Sequence, residues 1–153
     1  MFGEMFVTGL IVPDIDRAIA ETTKTLGVEF TPVQESPLKL RTPNGIEAFD
    51  LRFVYSLGGA PHLELIQAVP GTYYDPKGNG YIRHVGMWVE DLAAASKELA
   101  GRGLPLEAAG MNGDIEPYAF VFHANDWGLR VELVDNVQRD YFEAWLGGGE
   151  LQI

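Results

Sequence analysis

The chain contains no cysteine. That excludes disulfide scaffolds, thiolate zinc centres and cysteine nucleophiles. It has no apolar run near the roughly 18–20 residues that a membrane span needs. Positive charge is scarce: 11 Lys and Arg stand against 22 Asp and Glu, a net charge of −11. Such a field repels phosphate backbones and anionic lipid surfaces, so neither a nucleic acid nor a membrane is the expected partner. No glycine-rich phosphate loop and no GxSxG nucleophile elbow occurs. The opening MFGEMFVTGLIV carries Glu4 and no basic run, which is not the pattern of a signal peptide. A soluble, cytoplasmic protein acting on a small molecule is the expectation.

What is present suits one globular unit, residues 1–153. Hydrophobic residues make up 46% of the chain and charged residues 22%, ordinary values for a domain with its own core. Residues 6–12 are rich in Val, Ile and Leu and stop at Pro13, which predicts a strand. Asp14 is an N-cap candidate, and Ile15, Ala18, Ile19, Thr22 and Leu26 follow at helical spacing, with Gly27 as the stop. Residues 49–55 alternate, as do 62–66 beyond a Gly-Gly-Ala-Pro turn, which predicts an antiparallel pair of strands. A connector, GTYYDPKGNGY, covers 71–81. The pattern then restarts, with a strand over 83–89, Asp91 as a turn and cap, and a helix over 92–99. A turn-rich stretch over 109–117 and strands over 118–122 and 129–134 follow. The tail from 137 carries a short amphipathic helix over 140–146 and then three glycines, read as a mobile terminus.

The restart is an internal repeat. Val7 to Ile15 lies beside His84 to Leu92, so that Gly9 meets Gly86 and Asp14 meets Asp91. Leu63-Glu64-Leu65-Ile66 lies beside Val131-Glu132-Leu133-Val134, at a somewhat shorter offset. Two tandem βαβββ modules, 5–70 and 82–136, are the expected organisation. The segments FVTGLIVPDIDRAI, HLELIQ, IRHVGMWVEDL and LRVELVD, in this order and spacing, resemble the vicinal oxygen chelate superfamily. That is the glyoxalase, bleomycin-resistance and extradiol-dioxygenase group, here closest in look to its glyoxalase-like and methylmalonyl-CoA-epimerase-like branch. The resemblance implies an α+β fold whose two modules form an open, curled mixed sheet around one cavity. It also implies a homodimer, and a divalent metal held by four inward side chains, two per module.

Strand alternation supplies the candidate residues. Leu63 and Leu65, Val85 and Met87, and Val131 and Leu133 make aliphatic faces that suit packing under helices. Glu64, His84 and Glu132 occupy the opposite faces of their strands, with His62, Trp88 and Arg130 beside them. If that side is concave, two carboxylates and an imidazole converge. The two desolvated carboxylates then bind a divalent cation, share a proton, or pair with His84 or Arg130. If it is instead the wet face of an antiparallel sheet, Glu64, Glu132 and Arg130 are simply solvated. The resemblance puts the family's metal ligands at Val7, Glu64, His84 and Glu132, and Val7 cannot ligate. A degenerate site with three ligands for Zn, Ni, Co, Mn or Fe, or a metal-free cavity, follows. His62 is read as a surface residue and His123 as a locally bonded one. Tyr73, Tyr74 and Tyr81 are candidate lid residues, and Tyr141, Phe142, Trp145 and Leu146 either cap the barrel or meet a second copy.

Glu64, His84 and Glu132 are therefore the candidate catalytic residues and the candidate metal ligands. His62, Trp88, Arg130 and Val7 are the candidate substrate contacts. The leading expectation is proton transfer next to a carbonyl of a small organic substrate, by an isomerase, epimerase or lyase. A drug-sequestering binding protein of the bleomycin-resistance type is the alternative. An extradiol dioxygenase ranks third, because that site needs two His and one Glu around iron and the first His is missing.

Overall fold

In the structure, a computed structural model, residues 2–76 and 83–149 are described. Two stretches of like chemistry build its halves. β1 (Met5–Val12) and β5 (Arg83–Val89) are the apolar strands that open each half. Each is followed by an aspartate cap. Asp14 Oδ1 accepts from the Arg17 N–H at 3.1 Å and starts α1 (Ile15–Leu26). Asp91 Oδ1 accepts from the Ala94 N–H at 3.0 Å and starts α2 (Leu92–Gly101). These bonds satisfy donors that the first turn of a helix leaves free. In the first half α1 is followed by β2 (Gln34–Thr42), β3 (Gly45–Tyr55) and β4 (His62–Gln67). In the second half α2 is followed by β6 (Leu106–Gly110), β7 (Phe120–Ala124) and β8 (Arg130–Asp135), then a 3-10 turn and α3 (Arg139–Leu146).

The eight strands close into a barrel in the order β1-β4-β3-β2-β6-β7-β8-β5. This corrects the expected open, curled sheet; the α+β class with a mixed sheet stands. Closure comes from a ladder that no local signal announces. β2 meets β6 antiparallel through Leu40↔Gly110 and Arg41↔Ala109. β6 itself runs into the stretch expected to be turns, and β7 begins at Phe120, later than the expected strand. On the opposite side β1 and β5 pair antiparallel, with Val7 opposite Gly86 and Gly9 opposite His84. β1 is also parallel to β4, and β5 to β8.

Side-chain alternation sorts the core into layers. Val12, Ile15, Val54 and Leu65 cluster beneath α1, and Leu92, Val121, Val131 and Leu133 beneath α2. The barrel interior holds a third cluster, with Phe6, Val7, Ile11, Leu40 and Trp88 among its members. α3 plugs one end: Phe142 and Trp145 are buried against their own barrel, while Tyr141 is exposed. The connector covers the other end with Tyr74, which is also buried. Tyr81 and the last residues of the tail lie outside the described residues. Among the described residues, no helix is long and apolar enough to cross a membrane.

Candidate functional site

Three strands carry Glu64, His84 and Glu132 to one point inside the barrel. Gly9 on β1 pairs with Glu64 on one side and with His84 on the other. Gly86 on β5 pairs with Glu132 on one side and with Val7 on the other. The repeat is thus a local two-fold in which Glu64 mirrors Glu132 and Val7 mirrors His84. Both glycines are needed for space. A Cβ on Gly9 would lie 1.9 Å from His84 Cε1, and one on Gly86 would lie 2.3 Å from Val7 Cγ1. The sequence shows these glycines only as an aligned pair; their role in seating residues 84 and 7 needs the coordinates.

The His84 ring is 3% exposed and Glu64 6%. His84 Nε2 lies 3.0 Å from Glu132 Oε2 and 3.3 Å from Glu64 Oε1. Neither carboxylate meets hydrogen-bond geometry with it, so this buried nitrogen has no hydrogen-bond partner. One donor atom from each of the three residues lies within 4.8 Å of the others. Burial opposes the imidazolium, but the charges and hydrogen-bonding reach of Glu132 and Glu64 outweigh it and hold His84 up at about 10. Burial, with Glu64 adding, raises the Glu132 carboxyl above its ordinary range against the pull of His84.

Glu64 and Glu132 open onto a cavity of about 370 Å³. Tyr55 lines it as the cross-strand neighbour of Glu64, and Tyr74 reaches it from the connector. The position matching Tyr55 in the other half is Phe122, which is opposite Glu132. Burial and the charges of Glu64 and Glu132 hold both tyrosine hydroxyls well above the usual phenol range. Trp88 also lines the cavity, stacked on Phe6.

The other sequence candidates lie elsewhere. Val7 is fully buried in the barrel core. Arg130 is engaged by Glu107 through Nε at 2.8 Å and Nη2 at 3.2 Å, and the Tyr73 hydroxyl donates to the same carboxylate. His62 is not a surface residue. It is 7% exposed, its Nδ1 is 2.9 Å from the Ser56 carbonyl oxygen, and Phe142 stands edge-on to its ring. His123 bonds at longer range than expected. Its Nδ1 donates to the Leu104 carbonyl at 2.8 Å, which leaves Nε2 to accept from the Ser96 hydroxyl at 2.8 Å. It ties β7 to α2 and is structural.

The fold matches solved structures. Methylmalonyl-CoA epimerase from Mycobacterium tuberculosis superposes with a TM-score of 0.60 at 17% identity, covering 86% of each chain. A hypothetical protein from Bacillus halodurans gives 0.58 at 15% identity, over 86% of this chain and 93% of that one. A variant of Streptomyces coelicolor methylmalonyl-CoA epimerase, in complex with 2-nitronate-propionyl-CoA, gives 0.58 at 15% identity, over 88% and 98%. At such identities the likeness is one of fold. No curated protein matches the chain by sequence. The sequence model of the glyoxalase/bleomycin resistance protein/dioxygenase superfamily matches residues 8–122. With the duplicated register already seen in the barrel, that match settles the lineage: the chain belongs to the glyoxalase/bleomycin resistance protein/dioxygenase superfamily.

Proposed function

We propose that the protein is an epimerase-like enzyme of this superfamily, one that moves a proton at a carbon next to a carbonyl of a small organic substrate. Isomerase and lyase outcomes share that first step. The observation that carries the reading is the convergence of Glu64, His84 and Glu132 at the wall of the barrel's cavity. A carboxylate drawn largely out of water is a stronger base. Glu64 and Glu132 face the cavity and are the groups that take and return the proton. His84 lies behind them, within 3.3 Å of both, and balances their charge as the proton moves.

Members of this superfamily commonly use a divalent cation, and these residues fit one. Once His84 gives up its proton, its Nε2 and the two carboxylates offer the nitrogen and oxygen donors that such ions accept. The three donor atoms all lie within 4.8 Å of one another. Glu64, His84 and Glu132 would hold the ion, with Val7 contributing nothing. When bound, the ion supplies a Lewis acid for the substrate carbonyl.

The test is deuterium uptake in heavy water, followed by NMR on enolisable carbonyl compounds. Glu132→Gln lowers exchange by about 10²- to 10⁴-fold, the usual worth of a positioned base, with an unchanged circular dichroism spectrum. A fully active Glu132→Gln protein rejects the role. The aromatic cavity favours a second reading, in which a small molecule is bound without chemistry. Tight binding with the ligand recovered unchanged and no deuterium in it selects that reading.

A further inference from the structure

The walls of the cavity say which carbonyl compounds fit. One wall is built of rings. Phe6 stacks on Trp88 with centroids 4.0 Å apart and planes 14° apart, and Phe142 stands edge-on to the two at 5.5 and 5.7 Å. Trp145 and Phe53, 6.2 Å apart, extend the wall. The polar lining includes Glu64, Glu132, Tyr55 and Tyr74, beside Ser36, Asn112, Tyr118 and Gln138. Positive charge is the chemistry in short supply. Among the described residues that line the cavity, Lys39 is the one cation, and its ammonium donates to the Gly113 carbonyl oxygen at 3.1 Å. Nearby, Arg41 is held by Glu116 at 2.7 Å and Arg130 by Glu107 at 2.8 Å. With no divalent ion bound, an anion entering the cavity meets two carboxylates and a protein of net charge −11, against one lining ammonium, that of Lys39. Desolvating an anion in the ion-free site is compensated by that single ammonium alone. A flat uncharged ring gains from stacking and edge contacts and incurs no such penalty.

We propose that the substrate of this site is an uncharged, ring-bearing carbonyl compound. Its ring lies on the Phe6, Trp88 and Phe142 wall, and its carbonyl oxygen accepts from the Tyr55 and Tyr74 hydroxyls. The reaction assigned to it rests on the proton-transfer reading above; the ligand class does not. With no ion bound, the same charge argument disfavours nucleotide-bearing thioesters, such as the ligand named in the structural comparison.

Two fluorescent probes with one skeleton test the ligand class. N-phenyl-1-naphthylamine is neutral, and 8-anilinonaphthalene-1-sulfonate is its sulfonated relative. The neutral probe binds saturably, with energy transfer from tryptophan, and at least about tenfold more tightly than the sulfonate. It is displaced by 2-tetralone and not by methylmalonyl-CoA. Tyr55→Phe keeps the ring, so naphthylamine binding holds, while displacement by 2-tetralone weakens about two- to tenfold, the worth of one hydrogen bond. Equal affinity for the two probes, or displacement by methylmalonyl-CoA as readily as by 2-tetralone, overturns the proposal. Deuterium uptake into 2-tetralone separates the two readings. Binding without uptake supports the ligand class and counts against proton transfer. Uptake into methylmalonyl-CoA with the neutral probe excluded does the reverse.

Discussion

Gly9→Ala is the sharpest perturbation the structure offers. The added Cβ would sit 1.9 Å from His84 Cε1 and 2.5 Å from each ring nitrogen. The imidazole has nowhere to go, since Phe122 stands edge-on to it at 5.1 Å and the residue is 3% exposed. Either the ring leaves its seat between the carboxylates or β1 parts from β5. Overpacking of this kind costs about 1–3 kcal/mol, and in a chain of this size each kcal/mol moves the Tm by about 2–4 °C, so the melt falls by about 2–12 °C. Turnover falls with it, because the ring that shifts is the one that joins Glu64 to Glu132. The decisive measurement is the cycle with His84→Ala. With the ring gone, the methyl fills vacated space, and the second substitution costs less than about 0.5 kcal/mol. Gly86→Ala is the matched control: it strikes Val7 Cγ1 at 2.3 Å, lowers stability and leaves the His84 seat alone. The reasoning is refuted by a Gly9→Ala protein that melts and turns over like the parent. It is equally refuted by a cost that stays the same in the His84→Ala background.

Other expectations follow from the same geometry. Asp14→Ala removes the cap of α1 and lowers stability by about 0.5–2 kcal/mol, read by urea unfolding, with turnover unchanged. Burial pushes the Glu107 carboxyl up, but hydrogen bonds from Arg130 and Tyr73 outweigh it and hold the group below its ordinary 4.5. A carboxyl lowered on folding adds stability above its unfolded value and loses it as pH falls through the folded one. The urea midpoints of the parent and Glu107→Gln therefore differ at about pH 7 and converge by about pH 2; a gap that widens in acid contradicts the assignment. Val7→His places an imidazole in the seat that mirrors His84. Cobalt(II) affinity, followed by visible absorption, rises by about tenfold or more, equivalent to about 1.4 kcal/mol. An unchanged affinity shows that residue 7 does not reach the ligand cluster.

Much of the framework was legible because local signals agreed with the global fold. β1, α1 and β5 read directly from apolar periodicity and the two aspartate caps. β2, QESPLKLRT, did not. Pro37 reads as a breaker, and Lys39 and Arg41 alternate with leucines on a strand whose outer face is wet. β6 is five residues long and ends on a glycine. The closing of the barrel rests on the pairing of those two elements, so it left no mark in either sequence. Alternation on three strands put Glu64, His84 and Glu132 on like faces, and the repeat tied those faces to one another. Tyr55 escaped notice because its closeness to Glu64 is a matter of cross-strand register. Arg130 was legible as a neighbour of Glu132 on its strand, but its engagement by Glu107 of β6 was not.

The short β2–β6 ladder has a consequence for the local stability of the barrel. Nearly every other stave of the barrel is stitched to its neighbour along several residues; here two residue pairs and a few clips hold the join. The clips are the Lys39 ammonium on Gly113, the exposed Arg41 and Glu116 pair, and the Met111 N–H on the Lys39 carbonyl. Lys39 and Met111 also line the cavity. Among the barrel ladders, amide exchange is therefore expected earliest at this clasp, and concentrated salt, which screens the exposed pair, loosens it further. The shortest ladder among the described strands thus lies beside the cavity.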